Sequence, residues 1–116
     1  MIKKPEVCIL PVAGLSTRNL PATKALHKGF LTLDSLPIIQ YAVDACAEIG
    51  VKEIVFIYSD QSCKHLFETY FKPYPWLENH LKEKNKLDLL KVIQDIIPHG
   101  MKFSFARQSE PKGNGH

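Results

Sequence analysis

The apolar run Val7-Cys8-Ile9-Leu10-Pro11-Val12, and the turn that follows it, constrain the fold more than any other part of the chain. Residues 6–12 read as a strand, apolar almost throughout, as a central strand covered on both faces is. A turn of small residues comes next and meets Thr17 and Arg18, with Lys24 and Lys28 a little further on. Small residues let backbone N–H groups approach phosphate oxygens closely, and the cations neutralise their charge. A strand that opens into such a turn predicts a chain built to hold a nucleoside triphosphate.

The order of elements downstream selects the fold class. Residues 13–36 read as one long loop rich in Gly, Thr, Pro and Lys, and loops of that length in a compact domain are usually functional. Pro37 stands where a helix can begin, with Ser35 close before it. Ile38, Ile39, Ala42, Val43, Cys46 and Ile49 recur at helical spacing, and Gly50 is placed as a stop. Lys52 to Ser59 is a second strand with a β-branched and aromatic core. Asp60 or Ser62 caps a short helix carrying Leu66, Phe67 and Phe71, which Pro73 and Pro75 break. Residues 76–97 carry one or two surface helices, interrupted near Asn85. Met101 to Ala106 alternates as a third strand with Phe103 and Phe105 on one face. Strand and helix in alternation predict an α/β fold with a mainly parallel sheet.

At 116 residues the chain holds one domain at most, and 45% hydrophobic content fits a soluble globular protein. The net charge of +3 comes from 15 basic residues spread along the chain, which does not favour a nucleic-acid partner. No apolar run approaches the roughly 20 residues needed to span a membrane, and the first residues do not resemble a signal peptide. Cys8, Cys46 and Cys63 are odd in number and far apart, as expected of reduced thiols in a cytoplasmic protein. There is no Cys-x-x-Cys, and no metal site is expected within this chain.

Two blocks carry a resemblance. Ala13-Gly14-Leu15-Ser16-Thr17-Arg18-Asn19-Leu20-Pro21-Ala22-Thr23-Lys24-Ala25-Leu26-His27-Lys28, followed by Pro37-Ile38-Ile39-Gln40-Tyr41, is one. Arg107-Gln108-Ser109-Glu110-Pro111-Lys112-Gly113-Asn114-Gly115-His116, preceded by Ile96-Ile97-Pro98, is the other. They resemble A-G-x-G-T-R-x-L-P-A-T-K-A-x-P-K-E-M-L-P with K-P-x-I-Q-Y, and R-Q-x-x-x-x-G-x-G-H, of the bacterial UTP–glucose-1-phosphate uridylyltransferases, or UDP-glucose pyrophosphorylases. The resemblance covers essentially residues 1–116. It implies the amino-terminal portion of a Rossmann-like, glycosyltransferase-A-like nucleotidyltransferase domain, with the sheet cut off after about three strands.

The implied reaction joins UTP and glucose 1-phosphate to give UDP-glucose and pyrophosphate. Carried over by position, Ala13 and Gly14 offer backbone contacts to the nucleotide. Thr17 and Arg18 hold the β- and γ-phosphates, and Lys28 stabilises charge on the α-phosphate. Gln108 and the backbone of Gly113 read the uracil edge. Arg18 and Lys28 are thus the catalytic candidates. The resemblance also implies Mg²⁺, whose aspartate ligand in that family follows the second block. The sugar-binding residues follow it too, so this chain alone is expected to be a very poor catalyst. Implied partners are UTP, UDP-glucose and glucose 1-phosphate, with a homo-oligomer or pairing with a full-length homologue beside them.

Several positions depart from the pattern. Ser16 stands for the second glycine of the loop, Gly29 for the glutamate after the lysine, and Ser35-Leu36 for Asp-Lys. His27 and Thr32 replace prolines, which predicts a less rigid loop. An alternative expectation is a nucleotide-binding or regulatory module without catalysis; another is a related enzyme for a different base or sugar. Lys24, Asp34, His65, His80 and His99 are expected at the surface. Phe67, Tyr70, Phe71, Tyr74 and Trp76 are expected as core or as an interface seam.

Overall fold

The structure, a computed structural model, describes residues 6–12, 20–21, 24–25 and 27–108. β1 spans Val7–Pro11. A 3-10 turn at Lys28–Phe30 leads into β2 (Thr32–Leu33) and β3 (Leu36–Pro37). Then follow α1 (Ile38–Glu48), β4 (Glu53–Tyr58), α2 (Gln61–Tyr70), α3 (Pro75–Glu83), α4 (Leu87–Gln94) and β5 (Lys102–Arg107). Strands β1, β4 and β5 form a parallel sheet in that order, with Val7 beside Glu53 and Glu53 beside Lys102. The α/β class and the parallel sheet expected from the sequence are both present.

Local chemistry explains the boundaries. Gly50 adopts φ 91° and ends α1 at no steric cost. Asp60 accepts from the Cys63 N–H at 2.9 Å and caps α2. Pro75 opens α3, where its missing N–H costs nothing, and Asn85 turns the corner into α4 at φ 55°.

Several expectations change. Residues 13–36 do not form an unbroken loop: the 3-10 turn and β2 lie within them, and β3, the antiparallel partner of β2, begins at Leu36. Ser35 does not approach the helix start as a cap; it sits in the β2–β3 turn at φ 69°, and Pro37 takes the N-cap position without a side-chain bond. The aromatic cluster also divides. Phe67 and Phe71 are buried and Tyr70 is half-buried, whereas Tyr74 and Trp76, beyond Pro73, are exposed.

The core lies on one face of the sheet. Ile54, Phe56 and Tyr58 of β4 meet Ile39, Val43 and Cys46 of α1 and Cys63 and Phe67 of α2. Phe56 stacks among Phe67 (5.0 Å), Phe71 (5.5 Å) and Phe105 (5.5 Å). Strand order follows chain order, and because crossovers between parallel strands are right-handed as a rule, both land on this face. The opposite face is less covered among the described residues. Val7 is 50% exposed and Ile9 63%, so β1 is an edge strand covered on one face among the described residues, not the doubly covered strand its sequence suggests.

Candidate functional site

Parallel strands send all their carboxyl ends to one edge, and in open α/β sheets ligands bind outside that edge. Here the edge is fixed by hydrogen bonds that run one step past the strands. The Val12 N–H donates to the Ile57 carbonyl at 2.8 Å, and the Gln108 N–H donates to the Tyr58 carbonyl at 2.7 Å. Val12 and Gln108 therefore lie at the same edge of the sheet, on either side of the end of β4, from which the chain passes into α2. Lys64, in the first turns of α2, holds its ammonium 5.6 Å from the centre of the Tyr58 ring.

His27 ties this edge to the 3-10 turn. Its Nε2 lies 2.7 Å from the Val12 carbonyl oxygen. Its Nδ1 accepts from the Gly29 N–H at 2.9 Å, capping the turn that carries Lys28. The ring packs edge-on against Phe67, 5.0 Å between centroids. Burial holds the imidazole pKa below its ordinary 6.5, against the pull of the Val12 carbonyl; Lys28 lowers it further and Asp60 raises it. The Cys63 thiol also reaches the Val12 carbonyl, at 3.7 Å, and burial pushes its pKa up to about 11. His27, which stands where the resembling pattern has a proline, thus joins the 3-10 turn to the end of β1.

Gly29 fits the same arrangement. A Cβ added there would lie 3.2 Å from His27 Nδ1, 3.4 Å from Ile39 and 3.5 Å from Phe67. A side chain at this position would press on the His27 ring, so the glutamate of the resembling pattern fits tightly beside this histidine.

Of the site residues named from the sequence, Lys28 and Gln108 are described. Lys28 is exposed on the 3-10 turn, and Gln108 is half-buried where β5 ends. Ala13, Gly14, Thr17, Arg18 and Gly113 lie outside the described residues, as do Ser16 and His116. The sequence marks His27 only as a departure from proline; the signal for its structural part is a ring acceptor two residues before a turn N–H. Among the described residues, no three His, Cys, Asp or Glu side chains gather as a metal site, and Asp60 is engaged as a cap. These residues do not by themselves fit a magnesium site. No described helix is long and apolar enough to cross a membrane. A cavity of about 360 Å³ between α2, α3 and α4 is lined by Tyr70, Tyr74, Leu77, Ile93 and Ile96, and by none of the site candidates.

No family model matches the chain. Individual proteins do. It is 44% identical over 108 residues to the UTP–glucose-1-phosphate uridylyltransferase of Haemophilus ducreyi, covering 93% of this chain and 36% of that one. It is 38% identical over 115 residues to that of Bacillus subtilis, covering 99% and 38%. Among solved structures, UDP-glucose pyrophosphorylase from Acinetobacter baumannii superposes with a TM-score of 0.86 at 38% identity, over 97% of this chain and 39% of that one. A UTP-bound form from the same organism gives the same values. The chain thus spans a little over a third of the length of the relatives it matches. In sequence and in fold it corresponds to the amino-terminal part of the UTP–glucose-1-phosphate uridylyltransferases.

Proposed function

We propose that this chain carries the UTP-binding part of a uridylyltransferase that makes UDP-glucose and pyrophosphate from UTP and glucose 1-phosphate. The observation that carries most weight is the superposition on a UTP-bound pyrophosphorylase over 97% of the chain. The carboxyl edge of the sheet, where Val12 and Gln108 leave it, is where a nucleotide meets an α/β fold. The transfer needs positioning and charge neutralisation more than a covalent group from the protein. In this scheme the sugar phosphate attacks the α-phosphorus and pyrophosphate leaves. Lys28 neutralises charge on the α-phosphate. Thr17 and Arg18 hold the β- and γ-phosphates, Ala13 and Gly14 present backbone, and Gln108 with Gly113 reads the base. A cytoplasmic setting suits the three unbridged cysteines.

A second assignment is a non-catalytic module that pairs with a full-length homologue. The exposed Val7 and Ile9 on the open face favour it, because such a face gains from being covered. Calorimetry with UTP and Mg²⁺, with CTP as control, tests the nucleotide site. Saturable binding that prefers UTP and weakens about tenfold or more in Arg18→Ala is the expected result, on the scale of one charge-assisted phosphate contact. Equal affinity for CTP, or no change in the variant, removes the roles given to Gln108 or Arg18. Pyrophosphate release in the presence of glucose 1-phosphate then separates an enzyme from a binding module.

A further inference from the structure

We propose that His27 is a pH-sensitive latch: as the neutral Nε2–H tautomer it caps the Lys28 turn while holding it to the end of β1, and protonation at Nδ1 uncaps and loosens that turn. Both of its contacts require the same tautomer. The Gly29 N–H only donates, so Nδ1 must be bare; the Val12 carbonyl only accepts, so the proton sits on Nε2. A second proton sets an Nδ1–H against the Gly29 N–H across 2.9 Å, donor facing donor. The turn then loses its cap while the Nε2–H bond to Val12 survives.

The groups facing the ring decide when this happens. Lys28, on the turn itself, opposes a second positive charge. Asp60, from the start of α2, favours one. Cys63, also from α2, shares the Val12 carbonyl and stays a neutral thiol below about pH 11. Phe67, from α2, contributes burial without charge. Burial is the largest influence, so the latch is closed at neutral pH and opens on acidification.

The consequence for nucleotide rests on the assignment of Lys28 to the α-phosphate: an uncapped turn, left with its backbone bonds from Phe30 and Leu31, holds that ammonium less firmly. Histidine side-chain NMR on the ¹⁵N-labelled chain, from about pH 8 to about pH 5, tests the latch without any ligand. The expected result is an Nε2–H tautomer with a midpoint below the ordinary 6.5, and Lys28 and Gly29 amide signals that move with that midpoint. An Nδ1–H tautomer, or amides indifferent to the titration, overturns the proposal. Calorimetry with UTP over the same range then compares the chain with His27→Asn, whose side-chain oxygen caps the turn but does not titrate. Below the His27 midpoint the wild-type affinity is expected to fall about tenfold per pH unit beyond the change seen in the variant. Superimposable profiles overturn the coupling to nucleotide. No UTP binding at any pH, with the amides still following His27, sinks the nucleotide assignment and leaves the latch standing.

Discussion

The Tyr70 hydroxyl donates to Gln40 Oε1 at 2.7 Å, joining α2 to α1 across 30 residues of sequence. Gln40 is only 3% exposed, and its Nε2 donates to Asp44 Oδ1 at 3.0 Å and to the Ile96 carbonyl at 2.9 Å. One amide therefore satisfies groups from α1, α2 and the approach to β5. Gln40→Leu should cost about 2 kcal/mol or more, since it strands a hydroxyl and a carbonyl, and Tyr70→Phe about 1 kcal/mol. Urea unfolding of the two variants gives both numbers. A Gln40→Leu chain as stable as the parent would show that water replaces the amide.

Gly29→Glu should destabilise the chain by about 1–3 kcal/mol, because the turn is closed by His27, Ile39 and Phe67 within 3.5 Å of the new Cβ. His27→Ala in the same chain should recover part of the loss. Thermal unfolding of the single and double variants measures that coupling, and strict additivity would mean the two sites are independent.

Alkali should loosen the core. Burial, and then Asp60, push Cys63 up to about 11 from 9.0. Burial, then Asp44, push Tyr70 up to about 12 from 10.0. A raised folded-state value means the native chain keeps its proton longer than the unfolded one. Stability is therefore full below about pH 9 and declines as pH rises through about 11. Denaturant titrations across this range should show the decline, and Cys63→Ser should make it shallower. A flat profile in the parent chain would contradict it.

Hydrophobic dye should bind the open face of the sheet. Ile9→Thr keeps β-propensity and removes apolar area from an exposed position of β1, so dye fluorescence should drop while circular dichroism stays unchanged. An unaltered signal would place the dye elsewhere, the cavity beside Tyr74 and Leu77 being the next choice.

The three strands and α1 were legible in sequence because each has a strong local pattern. Val7–Val12 and Ile54–Tyr58 are dense apolar runs, and Ile39, Val43 and Cys46 repeat at helical spacing up to Gly50. The β2–β3 pair was not legible. Its strands have two residues each, and its turn places Asp34 and Ser35 at φ 54° and 69° without the glycine that marks such turns. The one-sided burial of β1 was hidden for another reason: it depends on strand order, which no single segment encodes. In the site, Lys28 and Gln108 could be named from the resembling blocks, but not the link between Val12 and His27. That bond joins residues 15 apart through a side chain the resembling pattern lacks.

The parallel register also sets the order in which the chain can assemble. Val7 meets Glu53, and Glu53 meets Lys102, so each strand waits more than forty residues of synthesis for its neighbour. No hairpin can seed this sheet, because closing loops of that length costs entropy before any ladder bond repays it. Helix α1, built from local contacts, can form first and offer Ile39 and Val43 to β4 as it emerges. Folding should therefore be slow for a chain of this size, with substitutions at Val43 changing the refolding rate and those on β5 acting mainly on unfolding.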